Sequence, residues 1–269
     1  MSLGLQILSP NNNLFLTDKG PLPIFLQKAT VYGSYSGSVI RWSTRVTSKK
    51  IIPFLSIPIT TFYLNFSSYF YGPYTDSNGT YYTLDQQIIN PTGQDLTDVP
   101  IEIYLFTLTM PGPSGDPFGL VIRNEANELC FDSGWSDFLK VVDNPFISNP
   151  KLDSNSLTIK SGITKPALLL GVMQTRKKVY DHYTTQGPWY QYGVWQNYYT
   201  AYWYYYETTF RRSSTTEYLF NQTYLDYHSY PGSWGTSYPT SILGTPGDTV
   251  LFGSSLPLPI PTINGTDYD

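Results

Sequence analysis

Prolines and glycines occur throughout the chain and leave little room for regular helices. The 269 residues include 21 prolines and 21 glycines, and few stretches keep apolar residues at the spacing that one helix face requires. Short runs that alternate apolar and polar residues are common instead, as in residues 101–109, which end at Pro111-Gly112-Pro113. The sequence therefore predicts an all-β protein with a linker near residue 112.

One β-hairpin pattern occurs twice, in residues 4–18 and again in residues 119–133. In each copy a short apolar run leads into a polar turn and returns through a second apolar run. The copies align without a gap, because Gly4, Leu5, Ile7, Asn12 and Leu14 match Gly119, Leu120, Ile122, Asn127 and Leu129. Short glycine-leucine hairpins are common in β proteins, so chance similarity is the competing interpretation.

Later apolar runs also occur in the same order in both halves of the chain. Residues 23–26 and 52–57 follow the first hairpin, and residues 138–142 and 165–170 follow the second. This order predicts two tandem antiparallel β-sandwich-like domains, at residues 1–112 and 113–269.

The second predicted domain is longer because it contains an aromatic-rich insertion at about residues 180–238, which holds 15 of the 25 tyrosines and four of the six tryptophans. Successive strand residues point to opposite faces, so the run Tyr202–Tyr206 must place rings on both. One face can be core, whereas the other needs a second sheet, a neighbouring subunit or an external ligand as its cover. The candidate contact residues are Trp189, Tyr190, Trp195, Tyr202, Trp203, Tyr205 and Trp234.

A proline-rich segment, Ser254–Pro261, lies near the end of the sequence. Its composition favours an extended, stiff chain that lies along a neighbouring subunit or along its own domain. We expect an extended C-terminal arm.

The second hairpin carries a motif with a known counterpart. Gly119–Asn124, followed by Asn127, Leu129, Phe131 and Asp132-Ser133, resembles the opening motif of a loosely defined family of bacteriophage tail proteins. The first copy keeps Gly4 and Leu14 but has Thr17-Asp18 where the motif has Asp-Ser. The resemblance implies a structural component of the virion, in the tail tip or a tail fibre, and it transfers no catalytic residue and no ligand site.

Residues suited to catalysis are few in this sequence. His182 and His228 are the only histidines, and the chain has neither a Gly-x-Ser-x-Gly elbow nor a glycine-rich phosphate loop. Cys130 is the only cysteine, which excludes an intrachain disulfide and favours a place in the core. We therefore predict a protein that is not an enzyme and that has no cofactor and no metal site.

Charge and hydropathy narrow the range of partners. The net charge of −4 and the sequence pI near 5.1 provide no general attraction for nucleic acid. No apolar run is long enough to insert into a membrane, and the start lacks the pattern of a secretory signal. We expect synthesis in the host cytoplasm.

These observations favour a tail component of a bacteriophage virion that assembles with other tail proteins and with copies of itself. The aromatic-rich insertion would then contact a glycan or protein of the host surface. Two alternatives remain open, a capsid decoration or head-fibre protein and a free carbohydrate-binding, lectin-like module.

Overall fold

The fold is that of an almost entirely β protein, as the sequence predicts. The computed structural model describes residues 6–8, 14–17, 22–32, 39–89, 97–109, 112–115, 118–135, 137–147, 154–169, 176–184, 189–191, 194–235, 249–252 and 258–269. The strands are β1 (Gln6–Leu8), β2 (Leu14–Thr17), β3 (Ile24–Tyr32), β4 (Val39–Val46), β5 (Ile51–Ser56), β6 (Asn65–Asp76), β7 (Gly79–Ile89), β8 (Pro100–Thr107), β9 (Val121–Arg123), β10 (Leu129–Asp132), β11 (Val141–Asp143), β12 (Phe146–Ile147), β13 (Ser154–Thr158), β14 (Pro166–Leu168), β15 (Arg176–Thr184), β16 (Trp189–Gln191), β17 (Val194–Arg212), β18 (Glu217–Gly235), β19 (Thr249–Phe252), β20 (Leu258–Pro259) and β21 (Thr262–Asn264). A 3-10 turn follows at Gly265–Tyr268.

Two layers of antiparallel sheet enclose the main core. One layer is a six-stranded sheet in the order β11-β21-β14-β5-β8-β3. The opposite layer contains the sheet β4-β7-β6 and the ends of β17, β18 and β13, joined where Leu64 and Phe210 exchange two backbone hydrogen bonds of 2.8 Å. Leu55 and Ile101 of the first layer pack in one cluster with Phe210 of the second, which makes the fold a β-sandwich.

Strand β8 shows how alternation builds this core. Ile101, Ile103 and Leu105 point into the sandwich, where each is fully buried. Tyr104 and Phe106 point to the other side of the sheet and are buried there in a second cluster. The predicted strand at 101–109 is confirmed over residues 101–107, and both of its faces are covered.

Six strands that precede residue 112 correspond one to one with six that follow it. The first set, β3 to β8, forms the part-sheets β3-β8-β5 and β4-β7-β6. The second set, β11, β13, β14, β17, β18 and β21, forms β11-β21-β14 and β13-β18-β17 in the same chain order. Both sets meet at the Leu55–Leu168 pair, which we call the seam. The six-stranded sheet is therefore palindromic about the seam, while the division into two domains stays a prediction.

Pairing within the two hairpins repeats as well. In the first hairpin Gln6 lies opposite Thr17 and Leu8 opposite Leu14. In the second, Val121 lies opposite Asp132 and Arg123 opposite Leu129, and these positions follow those of the first at a constant offset of 115 residues (121 − 6 = 132 − 17 = 115). The register of each ladder shifts at the equivalent place, between Ile7 and Leu8 in the first hairpin and between Ile122 and Arg123 in the second. Two hairpins are confirmed, and their common register supports duplication over chance similarity.

The motif residues of the second hairpin have structural roles. A Cβ atom on Gly119 would lie 2.6 Å from the Ser133 hydroxyl oxygen, and that oxygen accepts a 2.8 Å hydrogen bond from the Leu120 N–H. Asn127 has a φ of 63°, a left-handed conformation that asparagine tolerates better than most residues. The close approach of the two strand ends therefore explains the glycine and the serine of the motif.

Asp132, the acidic residue of the motif, ties the hairpin to the preceding linker. Its carboxylate accepts hydrogen bonds of 2.8 Å from the Ser114 N–H, the Ser114 hydroxyl and the Gly134 N–H. These backbone hydrogen bonds hold the pKa of Asp132 below its ordinary value. Cys130, two residues earlier on the same strand, is fully buried, as expected of a core residue.

Residues 258–261 of the proline-rich segment lie against the body of the same chain. Strand β20 pairs with β12, and Ile260 is fully buried in the main core. Strand β21 then enters the six-stranded sheet between β11 and β14. Of the two alternatives for the predicted arm, these residues take the one in which the segment packs on its own chain, whereas residues 253–257 lie outside the description.

Candidate binding surfaces

All seven predicted contact residues lie in one sheet. Trp189 and Tyr190 are on β16, Trp195, Tyr202, Trp203 and Tyr205 are on β17, and Trp234 is on β18. The register places Trp195 opposite Tyr190 and Trp234 opposite Tyr198. The side chain of Tyr202 is described, and those of the other six lie outside the description. Their role in binding stays a prediction.

The described tyrosines of β17 share one face of the strand. Tyr202, Tyr204 and Tyr206 are each partly buried, and the rings of Tyr202 and Tyr204 are stacked with their centroids 6.4 Å apart. Side chains two residues apart on a strand point the same way, so the contact follows from the pleat. Strand β17 lies between β15 and β18, which makes it a central strand of its sheet.

One end of the β17–β18 pair is built into the main core. Phe210, Tyr218 and Phe220 all belong to the main cluster, and the Tyr218 hydroxyl donates a 3.2 Å hydrogen bond to the Pro166 carbonyl. Burial raises the pKa of Tyr218 above its ordinary value, so the hydroxyl stays protonated as a donor. We call residues 194–207 and 222–235 of these strands the second arm.

A second aromatic surface lies on the three-stranded sheet β4-β7-β6, whose other face packs on the core. Tyr69, Tyr71 and Tyr74 of β6 are 47%, 46% and 45% exposed. The partly buried Tyr81 of β7 lies beside Tyr74, with the ring centroids 5.5 Å apart. We call these four residues the tyrosine face, and residues 69–83 of the hairpin the first arm.

A β-bulge places all four tyrosines on the same side. Between the pairs Tyr71–Thr83 and Tyr74–Tyr81, β6 contains one residue more than β7. Without the extra residue, Tyr74 would point to the core side of the sheet. Gly72 lies in the bulge with a φ of +107°, and a Cβ atom there would be 3.0 Å from the Tyr74 ring.

Polar side chains frame the tyrosine face. The Arg45 guanidinium lies 3.8 Å from the centroid of the Tyr81 ring and forms two hydrogen bonds with the Asp76 carboxylate. This contact, together with the Asn78 backbone N–H, lowers the pKa of Asp76. Asp85 accepts hydrogen bonds of 2.9 Å from Ser43 and from Gln87. The arrangement fixes both carboxylates and one tyrosine ring.

Four charged groups form a closed network on the outer side of the six-stranded sheet. Lys28 contacts Glu102 at 2.8 Å and Asp269 at 2.5 Å, and Lys165 contacts the same two carboxylates at 3.2 and 2.6 Å. The Tyr104 hydroxyl donates to Glu102 at 3.0 Å. The network connects β3 and β8 of the first strand set with the start of β14 in the second.

The contacts of the network shift the pKa values of Glu102 and Lys28. Burial by itself would raise the pKa of Glu102, but hydrogen bonds from Lys28 and Lys165 lower it below its ordinary value. The pKa of Lys28 is raised, chiefly by its hydrogen bond with Asp269. Because every charge has an opposite partner, the network stabilises the fold and presents no free charge to a ligand.

A cleft of about 610 Å³ lies beside the second hairpin. Phe25, Ile51 and Trp135 supply apolar walls, and Asp137 supplies a carboxylate. The Trp135 indole N–H donates a 3.1 Å hydrogen bond to the Gly112 carbonyl, which fixes the ring. The size suits a small molecule, and the lining includes no pair of groups that defines a reaction.

The two histidines lie on strands that flank β17. His182 is opposite Ala201 on one side, and His228 is opposite Trp203 on the other. In the part of the chain that the structure describes, no three His, Cys, Asp or Glu residues form a group that could hold a metal ion.

Comparison of the chain with protein-family models, curated proteins and solved structures finds no match. Across the described residues, no helix is long and apolar enough to cross a membrane.

The tyrosine face was not predicted from the sequence, because the tryptophans are concentrated in residues 180–238 and none lies in β6 or β7. A signal for it does exist. Tyr69 and Tyr71 alternate along one strand, and Asp76-Ser77-Asn78-Gly79 is a typical hairpin turn. The position of Tyr74 depends on the bulge, which the period of the sequence does not reveal.

Proposed function

We propose that the chain is a non-enzymatic structural component of a bacteriophage virion, in the tail tip or a tail fibre. It assembles there with other tail proteins and with copies of itself. The observation that carries the proposal is the duplicated hairpin. Its second copy has the sequence motif that resembles phage tail proteins, and Gly119, Asp132 and Ser133 of that motif each have a structural role.

The architecture is suited to assembly. Strand β17 is 19 residues long, which corresponds to about 60 Å of extended chain. One end of this strand is fixed in the core through Phe210, and the rest carries most of the predicted contact residues. A long antiparallel arm on a compact sandwich offers a neighbouring subunit or a host surface a large contact area.

Immunogold labelling of phage particles with an antibody against the chain tests the proposal. Label at the end of the tail supports it. Label on the head would favour a decoration or head-fibre protein, and absence from the particles would favour a free binding module. Either of the last two results would contradict a tail role.

Contact with the host needs a separate experiment. Replacing Trp195 and Trp203 with alanine should reduce adsorption to host cells and leave the yield of complete particles unchanged. A matched double variant, Phe118→Ala with Phe146→Ala, removes two exposed rings outside the second arm and should leave adsorption at the wild-type level. Unchanged adsorption in the tryptophan variant would contradict the host-contact role.

A further inference from the structure

We propose that the tyrosine face is a binding site for a neutral oligosaccharide or polysaccharide. This site is separate from the seven residues of the aromatic-rich insertion, and the proposal does not depend on membership of a virion. It rests on the alignment of the rings, on their fixed geometry and on the balance of charge around them.

The exposed rings form a row. Successive same-side residues of a strand are about 6.8 Å apart, so Tyr69, Tyr71 and Tyr74 span about 14 Å. Among the strand residues whose side chains the structure describes, no other strand carries more than one exposed aromatic residue. A row of this length on a sheet surface can contact several linked sugar rings, whereas a compact small molecule would touch one tyrosine.

The row is fixed before any ligand arrives. The other side of the sheet packs on the core through Phe66 and Leu84, so the strands cannot rotate. The bulge at Gly72 sets the side on which Tyr74 emerges, and Arg45 stacks on Tyr81. A ligand that binds a preorganised surface loses little free energy in ordering it, and tyrosine has few side-chain torsions to restrict.

The chemistry of the face matches that of a sugar. The faces of tyrosine rings carry partial negative charge, which attracts the C–H groups on the flat side of a pyranose. Sugar hydroxyls both donate and accept, and they meet the phenol hydroxyls at the ring ends. Gln87 provides an amide beside the rings, and this amide is held in position by the hydrogen bond that it donates to the buried Asp85 carboxylate, which also accepts one from Ser43.

The charge of the face favours a neutral ligand. Its positive groups are Arg41 and Arg45, and its negative groups are Asp76 and Asp85, so the formal charges sum to zero. Arg45 is paired with Asp76, which leaves no concentration of positive charge. Nucleic acids and acidic polysaccharides are bound by surfaces with an excess of lysine and arginine, which this face lacks.

A glycan array probed with the purified full chain tests the proposal, and the strongest neutral glycan is then titrated calorimetrically. Tyr71→Ala should weaken binding about tenfold, since one aromatic contact is removed. The matched control is Tyr32→Ala, because Tyr32 is 60% exposed but lies on β3 in the other layer. The control should bind like the wild type, and circular dichroism should show that both variants are folded.

Three results would overturn the proposal: an array without a neutral glycan ligand, binding restricted to acidic glycans, and equal affinity in Tyr71→Ala and the wild type. Concentration-dependent self-association that Tyr71→Ala abolishes would also contradict it, because the face would then be covered by a second copy. The outcome is independent of the virion proposal, since a tail protein can give a blank array and a free protein can bind through Tyr71.

Discussion

The first arm is formed by β6 and β7 and the second by the corresponding strands β17 and β18, which hold the same places in their sheets. The two arms nevertheless extend from opposite ends of their hairpins. In the first arm the turn at residues 77–78 is exposed, and the core lies at the start of β6. In the second arm the turn at residues 213–216 adjoins the core residues Phe210 and Tyr218, and the opposite ends of the two strands, away from the turn, form the arm. The strand order thus determines which strands are neighbours, but it does not determine which end of a hairpin extends from the core.

The antiparallel Leu64–Phe210 pair relates the arms to each other at their bases. Moving from Leu64 toward the tip of β6 corresponds to moving from Phe210 toward the start of β17. Both arms therefore leave the junction in the same direction. The two arms, although they are elongated at opposite ends of their hairpins, therefore lie at the same end of the sandwich, where one partner can contact both.

The largest expected effect is at the base of the second arm. Tyr218→Ala removes a fully buried ring and should lower the free energy of unfolding by about 3–5 kcal/mol. Tyr218→Phe keeps the ring and loses only the hydrogen bond to Pro166, at a cost of about 1 kcal/mol. Urea denaturation of both variants measures the difference. Equal stabilities would show that the second arm is not fixed through this residue.

The first arm should depend on its bulge. Gly72→Ala places a methyl group against the Tyr74 ring at a positive φ and should cost about 2 kcal/mol. The control is Gly79→Ala, which has a similar φ of +102° but no atom within 4 Å of the added Cβ. Denaturation midpoints should fall further for Gly72→Ala. A larger loss in Gly79→Ala would contradict the role of the bulge.

The charge network joins the two strand sets, and Glu102→Gln should reduce stability by about 1–2 kcal/mol. The folded-state pKa of Glu102 lies below its ordinary value of 4.5. Its contribution is therefore complete above that pH and is lost as the pH falls through the folded-state value. Denaturation measured between neutral and acidic pH should show a smaller loss of stability in the variant. Parallel curves would contradict the assignment.

The smallest effect is expected at the tip of the first arm. Asp76→Asn breaks the ion pair with Arg45. Both side chains of this pair are exposed, so water replaces the lost hydrogen bonds. The midpoint of denaturation should not change measurably. A clear decrease in the midpoint would mean that contacts at the tip stabilise the first arm, whereas contacts at the base stabilise the second.

Much of the local structure was predictable. The alternation of residues 101–109 gives β8, and the polar turns give both hairpins, because neighbouring residues determine these features. The all-β class follows from the distribution of proline and glycine. Among the candidate residues, the sequence indicates which strands are rich in tyrosine and tryptophan.

Long-range pairing was not predictable from patterns of this kind. Strand β21 enters the sheet beside β14, about 95 residues earlier in the chain, and its three residues carry no signal for that partner. The side on which Tyr74 emerges depends on one extra residue in β6. Both features are decided by tertiary packing, which local sequence does not encode.

The position of β21 has a consequence for the order of events during synthesis. The first strand set is complete once residue 107 has been made. The β14–β21 ladder cannot form until the whole aromatic-rich segment has left the ribosome, because Thr262 pairs with Leu168. Until then Leu168 and the edge of β14 lack one neighbour. While the second half is being made, this edge of β14 is therefore open to pairing with another chain.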